Sequence, residues 1–290
     1  MKREKTGMTL VELLVVLGII ALLVGILIPA LSLVQRTARE TKQQAQFSAI
    51  DLALTGYKND FGDYPPSELT SDTGGSYCGA QKMTEALFGW DLSGFHPDTA
   101  WRADGLDAAG GTGSYDPAQT RDIDNDGVPD TFDERKETYL ELASDNVFKL
   151  GNTPARQGLF QNTDVLAPNT YVLCDVFGKQ KIKLLNGQTA MAGAPVLYYR
   201  ANISEKTMMG VYNPLDNDVL VQVKELADNR GDRRHPLGWQ DNDYQYFYDY
   251  IRDPKIEARA WPYKPDSYIL ISAGADGLYG TNDDIRNFGN

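Results

Sequence analysis

Between Met8 and Val34 the only ionisable side chain is Glu12, and the rest of that stretch is apolar or small. A helix of about 20 apolar residues crosses a bilayer, and this run is longer. From Gln35 the pattern turns polar. Phe47, Ile50, Leu54, Tyr57 and Phe61 then recur at steps of 3, 4, 3 and 4, which aligns one apolar stripe along a helix. Gly62 and the Pro65-Pro66 pair stop it. A helix from Met8 to about Asp60 would extend roughly 80 Å at 1.5 Å per residue. Beyond it the predicted elements are short: a helix over Gln81–Trp90, and strands over Thr170–Phe177, Ile182–Leu185, Pro195–Ala201 and Tyr268–Ser272. An antiparallel sheet of three or four such strands, laid on the helix stripe, buries both apolar sets. The fold class is α+β: a long N-terminal α-helix, its first half transmembrane, packed on a small antiparallel β-sheet head with loop-rich insertions.

The insertions fall near residues 67–165 and 202–267. In the second, Tyr244, Tyr246, Phe247, Tyr248 and Tyr250 lie in close order, more naturally as core than as a ligand platform. The domain plan is residues 1–7 as a leader, 8–62 as the helix (8–34 in the membrane) and 63–290 as the head. The leader carries Lys2, Arg3 and Lys5 against Glu4, so the positive-inside rule keeps it cytoplasmic and exports the chain beyond the helix. A secretory signal has its small-residue cleavage site after the apolar stretch; here Gly7 precedes it. Hydropathy alone would allow a plain signal-anchor, but an intramembrane carboxylate is costly and calls for a function.

The run Gly7-Met8-Thr9-Leu10-Val11-Glu12 resembles the class III signal of type IV pilins and type II secretion pseudopilins, with Met8 where Phe is more common. The resemblance implies a prepilin peptidase that cuts between Gly7 and Met8 and methylates the new amine. Glu12 then lies one turn from the Met8 amine and would neutralise that of a neighbouring subunit, setting register more than adding stability. Pro29 removes a backbone hydrogen bond in mid-helix, and the resemblance marks it as a site of local unwinding. The run Tyr57–Pro65 resembles the end of the pseudopilin helix, and Asp175-Val176-Phe177-Gly178 is similar to the DxWG turn of pseudopilin sheets. The C-terminal tail, with Asp276, Asp283 and Asp284, is similar to that of major pseudopilins, in which a loop binds calcium. Major type IV pilins close their C-terminus with a disulfide loop, yet no cysteine comes after Cys174, which favours the pseudopilin branch.

A second acidic run, residues 122–133 (DIDNDGVPDTFD), places Asp122, Asp124, Asp126, the Val128 carbonyl, Asp130 and Asp133 at positions 1, 3, 5, 7, 9 and 12. Such spacing wraps oxygens around one Ca2+, and the run resembles the calcium loops of thrombospondin type 3 repeats and dockerins. One or two Ca2+ sites are expected.

The net charge of −12 becomes −14 once residues 1–7, with three bases and one acid, are removed. An acidic surface argues against nucleic acid as a partner. For Cys78 and Cys174, a disulfide and two separate buried thiols are both open. No catalytic motif occurs: His96 and His235 each precede proline, Gly110–Gly113 lacks a following lysine, and HExxH and GxSxG are absent. The expectation is a structural protein and not an enzyme, single-pass in a bacterial inner membrane with a periplasmic head. Its partners would be further copies of itself, other pseudopilins, prepilin peptidase and an inner-membrane assembly platform. A surface type IV pilin or adhesin and a non-polymerising membrane-anchored calcium-binding domain are the alternatives.

Overall fold

A computed structural model of the chain describes residues 9–106, 113–115, 132, 134–141, 146–151, 158–160, 167–184, 187–222, 235–238 and 244–289, and the backbone alone at Pro29 and Ala30. It divides into two compact units, one ending at Lys42 and one, the head, from Gln43 onward. The first unit is helical from Leu10, and the helix α1 is assigned without a break over Leu10–Phe61. Large apolar side chains from Leu10 to Val34 are exposed, with a mean hydropathy of 3.1 over the best 18-residue window. This segment is long and apolar enough to cross a membrane.

In the head, the predicted stripe is the buried face of α1. Phe47, Ile50, Leu54 and Tyr57 are buried, as is Ala53. Gly62 ends the helix in a left-handed conformation (φ 87°), its N–H donating to the Lys58 carbonyl at 2.7 Å, a cap that glycine adopts without a Cβ penalty.

The main sheet is antiparallel with strand order β7 (Leu197–Arg200), β8 (Tyr268–Ser272) and β9 (Ile285–Arg286). Its faces are both buried. Tyr198, Tyr268 and Leu270 meet Phe47, Ile50 and Leu54 of α1, together with Met83 and Leu87 of α2 (Gly79–Phe88). Leu197, Tyr199, Ile269 and Ile271 face a second core shared with Tyr212, Leu220, Phe247 and Ile251. A strand covered on both sides reads as a continuous apolar run, which is how Tyr268–Ser272 stands out in the sequence.

Three two-stranded ribbons flank this sheet: β1 (Thr70–Asp72) with β2 (Gly75–Tyr77), β3 (Val147–Lys149) with β4 (Tyr171–Leu173), and β5 (Gln180–Lys183) with β6 (Thr189–Ala192). The predicted strands Thr170–Phe177 and Ile182–Leu185 therefore belong to ribbons and not to the main sheet. The first shortens to three residues because Asp175 turns the chain. The helix predicted over Gln81–Trp90 starts two residues earlier. There Cys78 N–H donates to the Gln81 side chain at 2.7 Å, giving the turn a defined start. The second insertion supplies α3 (Met208–Val211), a 3-10 turn (Pro214–Asn217), α4 (Asp218–Val221) and α5 (Gln245–Ile251).

Candidate functional site

Gly7 and Met8 lie outside the described residues. Glu12 is exposed and engaged with its own helix start. Its carboxylate accepts from the Thr9 backbone N–H at 2.8 Å and from the Thr9 hydroxyl at 2.9 Å, while Glu12 N–H donates to the Thr9 hydroxyl at 3.2 Å. This is a capping box, in which the side chains at N-cap and N3 satisfy each other's orphan N–H groups. Thr9 has no expected role from the sequence, although Thr-x-x-Glu is the signal of such a box. At Pro29, the site of local unwinding the resemblance implies for filaments, the backbone is helical on both sides.

Asp122, Asp124, Asp126, Val128, Asp130 and Asp133 all lie outside the described residues. The C-terminal acidic loop, with Asp276, Asp283 and Asp284, is described in full. It leaves β8 at Ser272 and reverses through Gly274 (φ 62°), where a Cβ would lie 2.2 Å from the Asp283 carbonyl oxygen, so only glycine fits. The reversal folds the loop onto itself. Asp283 accepts from Asp276 N–H at 2.8 Å and from the Thr281 hydroxyl at 2.6 Å, and Asp276 accepts from Leu278 N–H at 2.8 Å. Asp284 accepts from Gly280 N–H at 2.7 Å and from the Tyr250 hydroxyl at 2.5 Å. Burial pushes Asp284 up to about 6. Burial and the charge of Asp283 also raise Asp276. Burial acts the same way on Asp283, but the Thr281 hydroxyl and surrounding N–H groups outweigh it and hold that carboxyl low. Two crowded carboxylates of which one stays ionised are the electrostatic setting a hard cation relieves. The donor type of Asp276, Asp283 and Asp284 suits Ca2+, but the three carboxylates do not converge within 4.8 Å of one another, as His96, Asp98 and Glu134 do.

The second insertion grips this loop from two sides. Tyr246 donates to the Gly280 carbonyl at 2.6 Å, beside the Tyr250–Asp284 bond. His235 Nδ1 accepts from Tyr279 N–H at 3.0 Å, and Leu237 N–H donates to the Tyr279 carbonyl at 3.0 Å. Burial lowers His235 to about 4, so it serves as a neutral acceptor. The close-ordered aromatics thus divide their work: Phe247 fills the core, while Tyr246 and Tyr250 hold the loop.

The Asp175-Val176-Phe177-Gly178 turn ties three elements together. Asp175 accepts from Phe177 N–H (3.1 Å), Ala194 N–H (3.2 Å) and the Ser272 hydroxyl (2.9 Å). Burial raises it to about 7. The same turn meets α1 where Val176 N–H donates to Gln43 Oε1 (2.9 Å) and Gln46 donates to the Cys174 carbonyl (3.0 Å). Cys78 and Cys174 are buried free thiols with no disulfide between them. Burial pushes the Cys78 thiol up to about 12 and raises Cys174 as well, which leaves both unreactive.

Among the described residues, three side chains of metal-ligand type converge within 4.8 Å at His96, Asp98 and Glu134. His96 Nδ1 accepts from Asp98 N–H at 3.1 Å, and Nε2 lies 3.5 Å from Glu134. An imidazole that accepts at Nδ1 carries its proton at Nε2, so His96 and Asp98 close a short turn while Nε2 faces the Glu134 carboxylate across the chain.

Residues 2–28 match the family described as the prokaryotic N-terminal methylation motif, so the N-terminus is type IV prepilin-like. No curated protein and no solved structure matches the chain.

Proposed function

We propose that the chain is a subunit of a type II secretion pseudopilus. Prepilin peptidase cleaves it between Gly7 and Met8 and methylates the new amine. The subunit then assembles with further copies and other pseudopilins, on an inner-membrane platform, into a periplasmic fibre that drives secretion. The observation that carries this reading is the methylation motif, whose lone carboxylate opens an otherwise apolar helix with its side chains bare. An intramembrane carboxylate has a reason when a neighbour's amine meets it. The work is mechanical, and no step of it needs catalysis by this chain.

The acidic loops extend the reading. Asp276, Asp283 and Asp284 hold Ca2+ with nearby carbonyls, and the run from Asp122 to Asp133 holds a second ion. Bound calcium relieves the repulsion between Asp276 and Asp283 and fixes the loop surface offered to neighbouring subunits. A surface type IV pilin is the second reading, favoured by insertions that make up so much of the head.

The test is antibody labelling of the head on intact and on outer-membrane-permeabilised cells, with electron microscopy of fibres. Label that needs permeabilisation supports the pseudopilus. Label along external fibres at native expression moves the chain to the surface pilins. Failure of the peptidase to shorten the chain would remove both readings.

A further inference from the structure

Past the apolar run, α1 continues as Gln35-Arg36-Thr37-Ala38-Arg39-Glu40-Thr41-Lys42, a segment of the same compact unit. Between Glu12 and Asp51 it holds the only charges: three bases and one acid, in a chain of net charge −12. The acid is taken by one base, since Arg36 Nε donates to Glu40 at 2.8 Å. With 3.6 residues per turn, Arg39 and Lys42 lie about 100° and 160° round the helix from Glu40, and about 60° from each other. Both are exposed, as is Gln35 on the same face. Lysine and arginine beside a spanning helix gather by rule on its cytoplasmic side, so a set on the exported flank calls for a reason of its own.

Depth along the helix supplies one. At 1.5 Å per residue, Arg36, Arg39 and Lys42 stand about 3, 8 and 12 Å past Val34. The polar layer beyond the hydrocarbon is roughly 5–8 Å thick on each side. Side chains on a helix tilt toward its N-terminus, which at this end means back toward the bilayer, and long basic chains extend to reach the interface. The Arg39 guanidinium and the Lys42 ammonium thus fall at phosphate depth.

We propose that this face of α1 binds the phosphate of an anionic phospholipid, held by Arg39 and Lys42 at the exported end of the apolar run. The site rests on the reading of that run as a membrane anchor. Lipid is the occupant because the face continues directly from the apolar run on one helix and carries the charge opposite to a phosphodiester, with Arg36 and Glu40 a neutral pair beside it. The retained lipid fixes the depth at which an unassembled subunit rests, and it is shed when the helix leaves the bilayer.

The full chain is reconstituted in vesicles of phosphatidylcholine with one-third phosphatidylglycerol, carrying a thiol-linked benzophenone on Gln35→Cys. Labelling is selective because Cys78 and Cys174 are buried. Illumination joins the probe to its neighbours, and mass spectrometry identifies the adducts; the bases of the leader, at the other end of the apolar run, do not enter. Each base near an anionic surface adds roughly five-fold to the lipid preference, so phosphatidylglycerol should exceed its bulk ratio among lipid adducts by up to about 25-fold. Arg39→Gln with Lys42→Gln should return the ratio to the bulk value, as should salt that shortens the screening length to a few ångströms. Glu40→Gln, which releases Arg36, should raise it. A wild-type ratio equal to the bulk, in a chain that co-floats with the vesicles, keeps the anchor and overturns the site. Loss of the excess in inorganic phosphate, but not in chloride of the same ionic strength, overturns it in favour of a free anion. Adducts to a second chain in place of lipid overturn it in favour of self-contact. A chain that does not co-float at all overturns both the anchor and the site.

Discussion

Asp175 shows how one side chain can organise three elements and set a pH dependence. Its folded pKa stands near 7 because it is buried, whereas in the unfolded chain it titrates near 4. An acid raised in this way contributes fully below its unfolded pKa, and that contribution is lost as pH rises through the folded value. Glu85 and Asp216, also raised to about 7 by burial, act in the same direction. The melting temperature of the head should fall between pH 5 and pH 8, as followed by circular dichroism. Asp175→Asn should flatten that slope, since the amide keeps an acceptor for the Phe177 and Ala194 N–H groups and can donate to the Ser272 hydroxyl. Asp175→Ala, which orphans those N–H groups, should cost about 1–3 kcal/mol. At the other end of the chain, Glu12→Ala should abolish fibres while leaving membrane insertion intact, as seen by electron microscopy and fractionation. Thr9→Ala removes the capping hydroxyl with its γ-methyl but leaves Glu12 in place, and should cost about 1 kcal/mol of local stability while fibres still form.

At the scale of elements, the loop from Gly274 to Asp284 depends on a backbone that only glycine allows. Gly274→Ala should break the Asp276–Asp283 arrangement and weaken cation binding at least ten-fold, measured by terbium luminescence or calorimetry. Tyr250→Phe should leave the fold standing and lose about 1 kcal/mol, with the pH at which Asp284 titrates moved upward. Such contacts also mark where legibility in the sequence ends. The stripe Phe47–Phe61 is readable because burial of one helix face enforces a period, and Tyr268–Ser272 because a strand buried on both faces is an unbroken apolar run. β9 is two residues long and β3 three, too short to carry a period. Nothing near Tyr250 announces that it meets Asp284, 34 positions away: the pair exists because α5 and the loop are neighbours in space. The capping box at Thr9 is readable but is overshadowed by the charge of Glu12. Ile182 reads as a strand residue in any setting, and no local signal says that among the described residues its strand pairs with β6 alone.

For the whole molecule, the calcium reading proposed above would link stability and assembly through the acidic loop. A ligand bound only by the native state adds about 2.7 kcal/mol at a hundred times its dissociation constant. Calcium should therefore raise the melting temperature, a chelator should reverse the shift, and Asp283→Asn should suppress it; calorimetry of the full chain with and without calcium checks all three. No chelator effect on the wild type would leave the loop as a hydrogen-bonded turn and nothing more.

The Thr9–Glu12 capping box bears on the reversibility of any fibre. A carboxylate already satisfied within its own chain does not enter assembly as an empty valence. Meeting a neighbour's amine is then a trade of partners, and only the difference between the two attachments drives polymerisation. The reverse trade is equally available to a subunit leaving the fibre, because Thr9 is waiting at the start of its own helix. Subunits drawn back into the membrane would thus return to a resting arrangement they had before, with the carboxylate still hydrogen-bonded within its own chain.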